Sequence, residues 1–91
     1  IGDPVTVTLH GVFPNPVRNA ATLRYELPEA TSVRLELYDL LGRRVKTLVD
    51  AQQPAGRQEI AVDASHLPAG VYVYRLMTGR HVQTQRMTVV Q

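Results

Sequence analysis

Hydrophobic and polar residues alternate in short runs along this chain, and most runs end at glycine, proline, asparagine or aspartate. In the second run, Leu23, Tyr25 and Leu27 share one face, while Arg24 and Glu26 take the other. A period of two residues is that of a half-buried β-strand, and no segment has the period of a helix. The pattern predicts seven strands, near residues 4–10, 20–27, 32–38, 43–49, 57–63, 70–77 and 81–90.

Seven short strands with turn signals between them, each apolar on one face, are typical of two sheets packed face to face. The sequence therefore predicts an all-β fold, a seven-stranded antiparallel immunoglobulin/fibronectin-like β-sandwich. A chain of 91 residues makes one domain, over 1–91, with one modest core and no deep cavity. In such a sandwich the connection between the second and third strands crosses between sheets, so these two strands are not expected to pair.

The alternation also predicts which side chains of the later strands face the core. In the third strand, Val33, Leu35 and Leu37 are expected to point inward, and Arg34 and Glu36 are expected to point outward. In the fifth strand, Ile60 and Val62 are expected to point inward.

Two prolines mark the connection that follows the first predicted strand. Pro14 and Pro16 each fix their own φ angle and hold the residue before them, Phe13 or Asn15, in an extended conformation. The segment Pro14-Asn15-Pro16 is therefore predicted to be a stiff elbow between the first and second strands.

The segment DLLGRRV, residues 39–45, is predicted to be the turn of a hairpin. The carboxylate of Asp39 can accept hydrogen bonds from backbone amides two residues further on, and Gly42 can adopt a positive φ without steric cost. Leu40 or Leu41 is expected to cover the end of the core. A phosphate-binding loop would need several glycines and a following helix, which this segment lacks.

The last hairpin is predicted to close at residues 78–80, with Gly79 in its turn. Its second strand has apolar residues in both phases, at even-numbered Val82 and at odd-numbered Met87. A strand with a strict period of two cannot bury both. The sequence therefore predicts a β-bulge near residues 85–86, which would reset the phase by one residue.

The tyrosines are expected to differ in burial and in role. Tyr25 points inward with its strand. Tyr72 follows the turn that opens the sixth strand, where many sandwiches place a tyrosine whose hydroxyl bonds to a nearby backbone group. Tyr38 and Tyr74, with Phe13, are candidates for exposed aromatic rings.

Composition excludes several function classes. The net charge is only +2, from ten basic and eight acidic residues, and the arginines are scattered, so no nucleic-acid-binding patch is expected. Without cysteine the chain has no disulfide and no thiolate metal site. The three histidines lack metal-ligand spacing, and no nucleophile elbow or acid–base pair is evident. We expect no enzyme activity, metal or cofactor.

Because the sequence opens on Ile1, it is expected to be part of a longer protein.

Several short segments occur in an order that resembles a known family. They are residues 13–16 (FPNP), 27–30 (LPEA), 33–43 (VRLELYDLLGR), 54–56 (PAG), 67–76 (LPAGVYVYRL) and 85–90 (QRMTVV). From about Val12 to Gln91 the chain resembles the C-terminal sorting domain of type IX secretion substrates, type A. No single segment is specific, and it is their order and spacing that carry the resemblance.

The resemblance implies a non-catalytic C-terminal sorting signal on a larger exported protein of Bacteroidetes-type bacteria. Such a domain directs an N-terminal passenger through an outer-membrane secretion translocon that recognises it in the periplasm. A surface peptidase then removes it, and the passenger is attached to the cell surface or released. The implied location is the periplasm in transit, then the cell surface or the secreted state. No small-molecule substrate or nucleic acid is implied, and a monomer is expected.

The family's recurrent features, a Gly-x-Tyr segment and the final strand, mark residues for recognition by the translocon. They map onto Gly70, Tyr72, Arg86, Met87, Val89 and Val90. Recognition of this kind is expected to use a rigid C-terminal hairpin whose final strand is exposed at an edge.

Two alternatives stay open from the sequence. One is an accessory binding or spacer module of a secreted enzyme, such as a carbohydrate-binding module. Exposed, coplanar rings at Phe13, Tyr38 and Tyr74 would favour it. The other is a related immunoglobulin-like domain in a surface or flagellar assembly. A buried Tyr72 and an exposed final strand would favour sorting.

Overall fold

The computed structural model of the protein describes residues 7–79 and 81–91, and these form seven strands and no helix. The strands are β1 (Thr8–Arg18), β2 (Ala20–Leu27), β3 (Thr31–Asp39), β4 (Arg44–Gln53), β5 (Gly56–Asp63), β6 (Gly70–Thr78) and β7 (His81–Val89). The all-β prediction is confirmed. Residues 4–6 of the predicted first strand lie outside the described residues, and β1 continues well past its predicted end at residue 10.

The strands form two sheets that share β1. The first half of β1 pairs with β2, which pairs with β5, while β4, β3, β6 and β7 lie side by side in the other sheet. The second half of β1 joins that sheet through a parallel contact of Val17 with Val89, the one parallel contact among the described strand pairs. The predicted β-sandwich is confirmed.

The connection between β2 and β3 crosses from one sheet to the other, as predicted, because β2 pairs with β1 and β5 while β3 pairs with β4 and β6. The charged side chains on these strands consequently find partners within their own sheets. Nε of Arg24 lies 2.8 Å from Oε2 of Glu59 on β5, and Nη2 of Arg34 lies 3.8 Å from Oδ2 of Asp50 on β4.

Alternate side chains from both sheets fill one core. The large side chains that are fully buried are Val17, Leu23, Tyr25, Val33, Leu35, Leu37, Val62, Tyr74, Leu76, Met87 and Val89. Burying side chains of this size contributes about 1.5–3 kcal/mol each, before the entropy cost of ordering them. The inward faces predicted for β2 and β3 are confirmed, while Ile60 of β5 is only half-buried.

The predicted β-bulge near residues 85–86 is wrong. The register of β6 and β7 runs without a break from Gly70 opposite Val89 to Thr78 opposite His81. A bulge is unnecessary because Val82 does not face the core, and 54% of this side chain is exposed. In the turn of this hairpin Gly79 has a φ of 54°, whereas Arg80, the last residue of the predicted turn, lies outside the described residues.

The elbow Pro14-Asn15-Pro16 lies inside β1, so its predicted position between the first and second strands is wrong. Up to Phe13 the strand pairs with β2, and from Val17 it contacts β7. Proline has no N–H to donate to a ladder, so pairing lapses here and the chain changes sheets. The turn into β2 comes later, at Asn19, which has a φ of 63°.

The strand directions give the sandwich two distinct ends. The first, which we call the tail end, holds the turn at 39–43, the corner at 67–70 and the last residues, 87–91. The second, which we call the entry end, holds Val7, where the described chain enters β1, and the turn at Gly79.

Candidate recognition surface at the tail end

The corner that leads into β6 is fixed by a tyrosine. Tyr72 is buried, and its hydroxyl donates a hydrogen bond of 2.6 Å to the backbone carbonyl of Pro68. This is the tie-back to the backbone predicted from the position of Tyr72. It holds residues 67–70 against the end of the core and leaves Gly70 exposed.

The final strand is not a free edge at this end, so the prediction of an exposed final strand is wrong. Beside it lies the second half of β1, because the elbow carries that half across. The Val90 N–H donates to the Val17 carbonyl at 2.9 Å. The Thr88 N–H donates to Oδ1 of Asn15 at 3.1 Å. The elbow and the tail, 73 residues apart in sequence, are therefore one structural unit.

The last residue connects the tail with the corner. The side-chain amide of Gln91 donates a hydrogen bond of 2.6 Å to the carbonyl of Leu67. This contact could not be predicted from the sequence, because no local pattern relates a terminal glutamine to a turn 24 residues earlier.

The residues predicted for recognition lie together at the tail end, but at different depths. Gly70 lies opposite Val89 and Tyr72 opposite Met87 in the pairing of β6 with β7. Tyr72, Met87 and Val89 belong to the core, Gly70 and Arg86 are exposed, and Val90 is half-buried. Their role in recognition stays a prediction.

The turn at 39–43 is organised by one carboxylate, as predicted. Oδ1 of Asp39 accepts the backbone N–H groups of Leu41 and Arg43 at 2.9 and 3.0 Å. Oδ2 accepts Nε of Arg43 at 2.9 Å. These contacts, the backbone N–H of Arg43 first among them, hold the pKa of Asp39 below its ordinary value. Gly42 has the expected positive φ, 81°.

The two leucines of this turn do not cover the core, contrary to expectation. Leu40 is 67% exposed and Leu41 is 77% exposed. Asp39 already lies opposite Tyr72, near the first residue of β6, so the turn projects past the end of the sheet. Side chains at the tip have no core beneath them there.

A buried acid lies on the outer face of β3, which the sequence analysis assigned to solvent. Glu36 is only 4% exposed and accepts hydrogen bonds from the Tyr38 hydroxyl at 2.6 Å and from Nη1 of Arg44 at 3.2 Å. The bond from Tyr38 and then the charge and hydrogen bond of Arg44 keep the pKa of Glu36 below its usual range. The sequence signal for this contact was the spacing of Glu36 and Tyr38, which lie two residues apart on the same face of one strand.

Arg75 neighbours this cluster across the pairing of β3 with β6, opposite Glu36. Its guanidinium carbon lies 5.7 Å from the centre of the Tyr38 ring, and its Nε is buried without a hydrogen-bond partner among the described residues. Arg75 lines a shallow groove of about 350 Å³, together with Tyr38, Leu40, Val73 and Thr84. This groove runs between the turn at 39–43 and the outer face of β6 and β7.

The three rings considered for a sugar-binding platform do not share a surface. Tyr74 is buried beside Tyr72 and Leu76, so its predicted candidacy as an exposed ring is wrong; burial raises its pKa to about 12. Phe13 lies on the outer face of the sheet of β1, β2 and β5, whereas Tyr38 lies on the opposite face of the sandwich.

Across residues 7–79 and 81–91, no group of three or more histidine, cysteine, aspartate or glutamate side chains is placed to hold a metal ion. The same residues contain no helix that is long and apolar enough to cross a membrane.

At the tail end the polar side chains of Asp39, Tyr72 and Gln91 hold the turn and the corner in place. What this end presents to a partner is therefore a fixed shape, two exposed leucines and arginine side chains.

A comparison with known protein families identifies the family of this chain. The family model described as "Secretion system C-terminal sorting domain" matches residues 11–91, from the middle of β1 to the last residue. No curated protein matches the sequence.

Proposed function

The chain belongs to the family of secretion system C-terminal sorting domains, and from this premise we propose that it carries an N-terminal passenger across the outer membrane. A type IX sorting domain implies a type IX secretion system, a passenger, and export to the cell surface or the medium. We further propose that the domain is non-catalytic and acts only through contacts with other proteins.

One observation carries this proposal: the elbow, the turn at 39–43, the corner and the final strand converge on the tail end. These segments are far apart in sequence. A partner that contacts this end meets all of them at once. Because the chain enters β1 at the entry end, a passenger attached there leaves the tail end accessible.

In this proposal the outer-membrane translocon binds the folded domain in the periplasm. Exposed Gly70 and Arg86, with half-buried Val90, contact it directly. Buried Tyr72, Met87 and Val89 are positioning residues that hold the strands on which those contacts lie. A surface peptidase later removes the domain, and the passenger is attached to the surface or released.

The proposal is tested by fusing residues 1–91 to a periplasmic reporter in a bacterium with type IX secretion. The expected result is reporter outside the outer membrane, and deletion of residues 86–91 abolishes this export. A reporter that remains periplasmic with the intact domain would contradict the proposal. Strains lacking the translocon serve as the control for leakage.

The deletion also removes Met87 and Val89 from the core, so a milder variant separates recognition from folding. Arg86→Gln changes an exposed side chain and is expected to reduce export while the domain keeps its melting temperature. Arg34→Gln is the matched control, because Arg34 is also an exposed arginine on the outer face of the same sheet, but nearer the entry end. If both variants are exported equally, Arg86 does not contact the translocon.

A further inference from the structure

The groove beside the turn at 39–43 contains a charge that the fold does not use. We propose that this groove binds an extended acidic segment of the protein partner, with a carboxylate on Arg75 and an apolar side chain against Leu40. The inference rests on the proposed function, since it names the chemistry that the partner brings to the tail end.

The hydrogen bonding of Arg75 is incomplete. Its Nε is buried and has no acceptor among the described residues. A buried donor without an acceptor is destabilising, and in folded proteins such groups are few. The described residues give no acceptor to the other guanidinium nitrogens either, and Arg75 lines the groove, so an acceptor from outside the chain can pair with its guanidinium there.

The charges around the groove do not balance. Two acids lie near Arg75, but each is already neutralised. Glu36 is bound by Arg44 and Tyr38, and Asp39 is bound by Arg43. Arg75 has no ion pair among the described residues, and it stacks on the Tyr38 ring instead. The uncompensated charge of the groove is positive, so a carboxylate is the complementary ligand.

The groove also has an apolar rim. Leu40 projects past the end of the sheet at 67% exposure, and half-buried Val73 forms the floor beside Arg75. An exposed leucine at a turn tip gains stability only when another surface covers it. A segment with an acid next to an aliphatic residue satisfies Arg75 and covers Leu40 together.

A minimal probe isolates the two features. N-acetyl-leucine has one carboxylate and one aliphatic side chain, and N-acetyl-leucine amide has the same side chain without the charge. A fragment of this size binds with a Kd on the order of 1–10 mM. In proton–nitrogen NMR spectra of the 91-residue domain, N-acetyl-leucine is expected to shift Arg75 Nε–H and the backbone of residues 40 and 73. The amide is expected to leave Arg75 unchanged.

Three results would overturn the inference. No shift at Arg75 would mean that the carboxylate of the probe does not bind there. Equal shifts from the acid and the amide would mean that charge plays no part in binding. An equal shift from inorganic phosphate would make the groove a general anion site. Arg75→Gln is expected to weaken the probe about tenfold or more, since a charged hydrogen bond is lost. Arg34→Gln is expected to bind normally.

Export of the reporter fusion then distinguishes this inference from the proposed function. The test variant carries Arg75→Gln and Leu40→Ser together. If the wild-type domain is exported and this double variant stays periplasmic with an unchanged melting temperature, the sorting function and the role of the groove both stand. If that variant is exported at the wild-type rate, the groove is not the contact, although the sorting function stands. If the wild-type fusion itself stays periplasmic, the proposed function fails.

Discussion

The two ends of the sandwich are built differently. At the tail end, backbone groups in three separate segments are held by side chains: Asp39 holds the turn, Tyr72 and Gln91 hold the corner, and Asn15 holds the final strand. At the entry end the described contacts of this kind are fewer. The main ones join Gln83 to the Val7 carbonyl and Gln58 to the Pro54 carbonyl.

This difference indicates where a partner can recognise a fixed surface. A turn held by several side-chain bonds has one shape, and binding it costs little ordering entropy. A turn held mainly by its own backbone can vary more freely in sequence and length. In the proposed function the tail end is therefore the recognition surface, and the entry end is the junction with the passenger.

The largest expected effect comes from the core of the final strand. Met87→Ala removes a fully buried side chain and is expected to lower the free energy of unfolding by about 2–5 kcal/mol. Val82→Ala, on the same strand but 54% exposed, is expected to change it by no more than about 0.5 kcal/mol. Urea denaturation of both variants measures the difference. Equal losses would mean that the tail is not anchored as described.

The corner gives a smaller effect. Tyr72→Phe removes the bond to the Pro68 carbonyl and is expected to cost about 1 kcal/mol. Tyr25→Phe is the matched change towards the entry end, where the hydroxyl bonds to the side chain of Gln53. Gln53 can turn to solvent, so about 0.5 kcal/mol or less is expected there. Thermal melts resolve the two, and a larger loss for Tyr25→Phe would reverse the comparison.

The turn at 39–43 gives the smallest effect and a defined pH dependence. The folded pKa of Asp39 is lowered, chiefly by the backbone N–H of Arg43. Its contribution to stability is therefore complete above the unfolded value of about 3.9 and is lost as pH falls through the folded value. Asp39→Asn is expected to melt slightly earlier than wild type at pH 6 and to lose less between pH 4 and 2. Melting curves of the two proteins that run parallel over this range would contradict the assignment.

Local patterns were sufficient to predict much of this molecule. The alternation of apolar and polar residues gave the bounds of β2 and the inward face of β3, because those strands pair along their whole length. The chemistry of Asp39 and Gly42 gave the turn between β3 and β4, since it acts over four residues. The hydroxyl bond of Tyr72 followed from its place after a corner.

The errors arose where partners distant in sequence decide the outcome. The position of the elbow inside β1 depends on β7, 73 residues later, and no local signal identifies that strand. The bulge was predicted so that both Val82 and Met87 could face the core. Because Val82 is exposed, the strand needs no change of phase. The burial of Glu36 depends on Tyr38 and Arg44 folding over it.

The most direct test of the account compares export after surface changes at each end. The tail-end variant carries Leu40→Ser and Arg86→Gln, and the entry-end variant carries Arg34→Gln and Val82→Ser, all at exposed positions. The measurement is the fraction of a fused reporter found outside the outer membrane, with equal melting temperatures as a precondition. We predict that the tail-end variant retains its reporter in the periplasm while the entry-end variant exports it normally. Normal export by the tail-end variant, or loss of export by the entry-end variant alone, would contradict it.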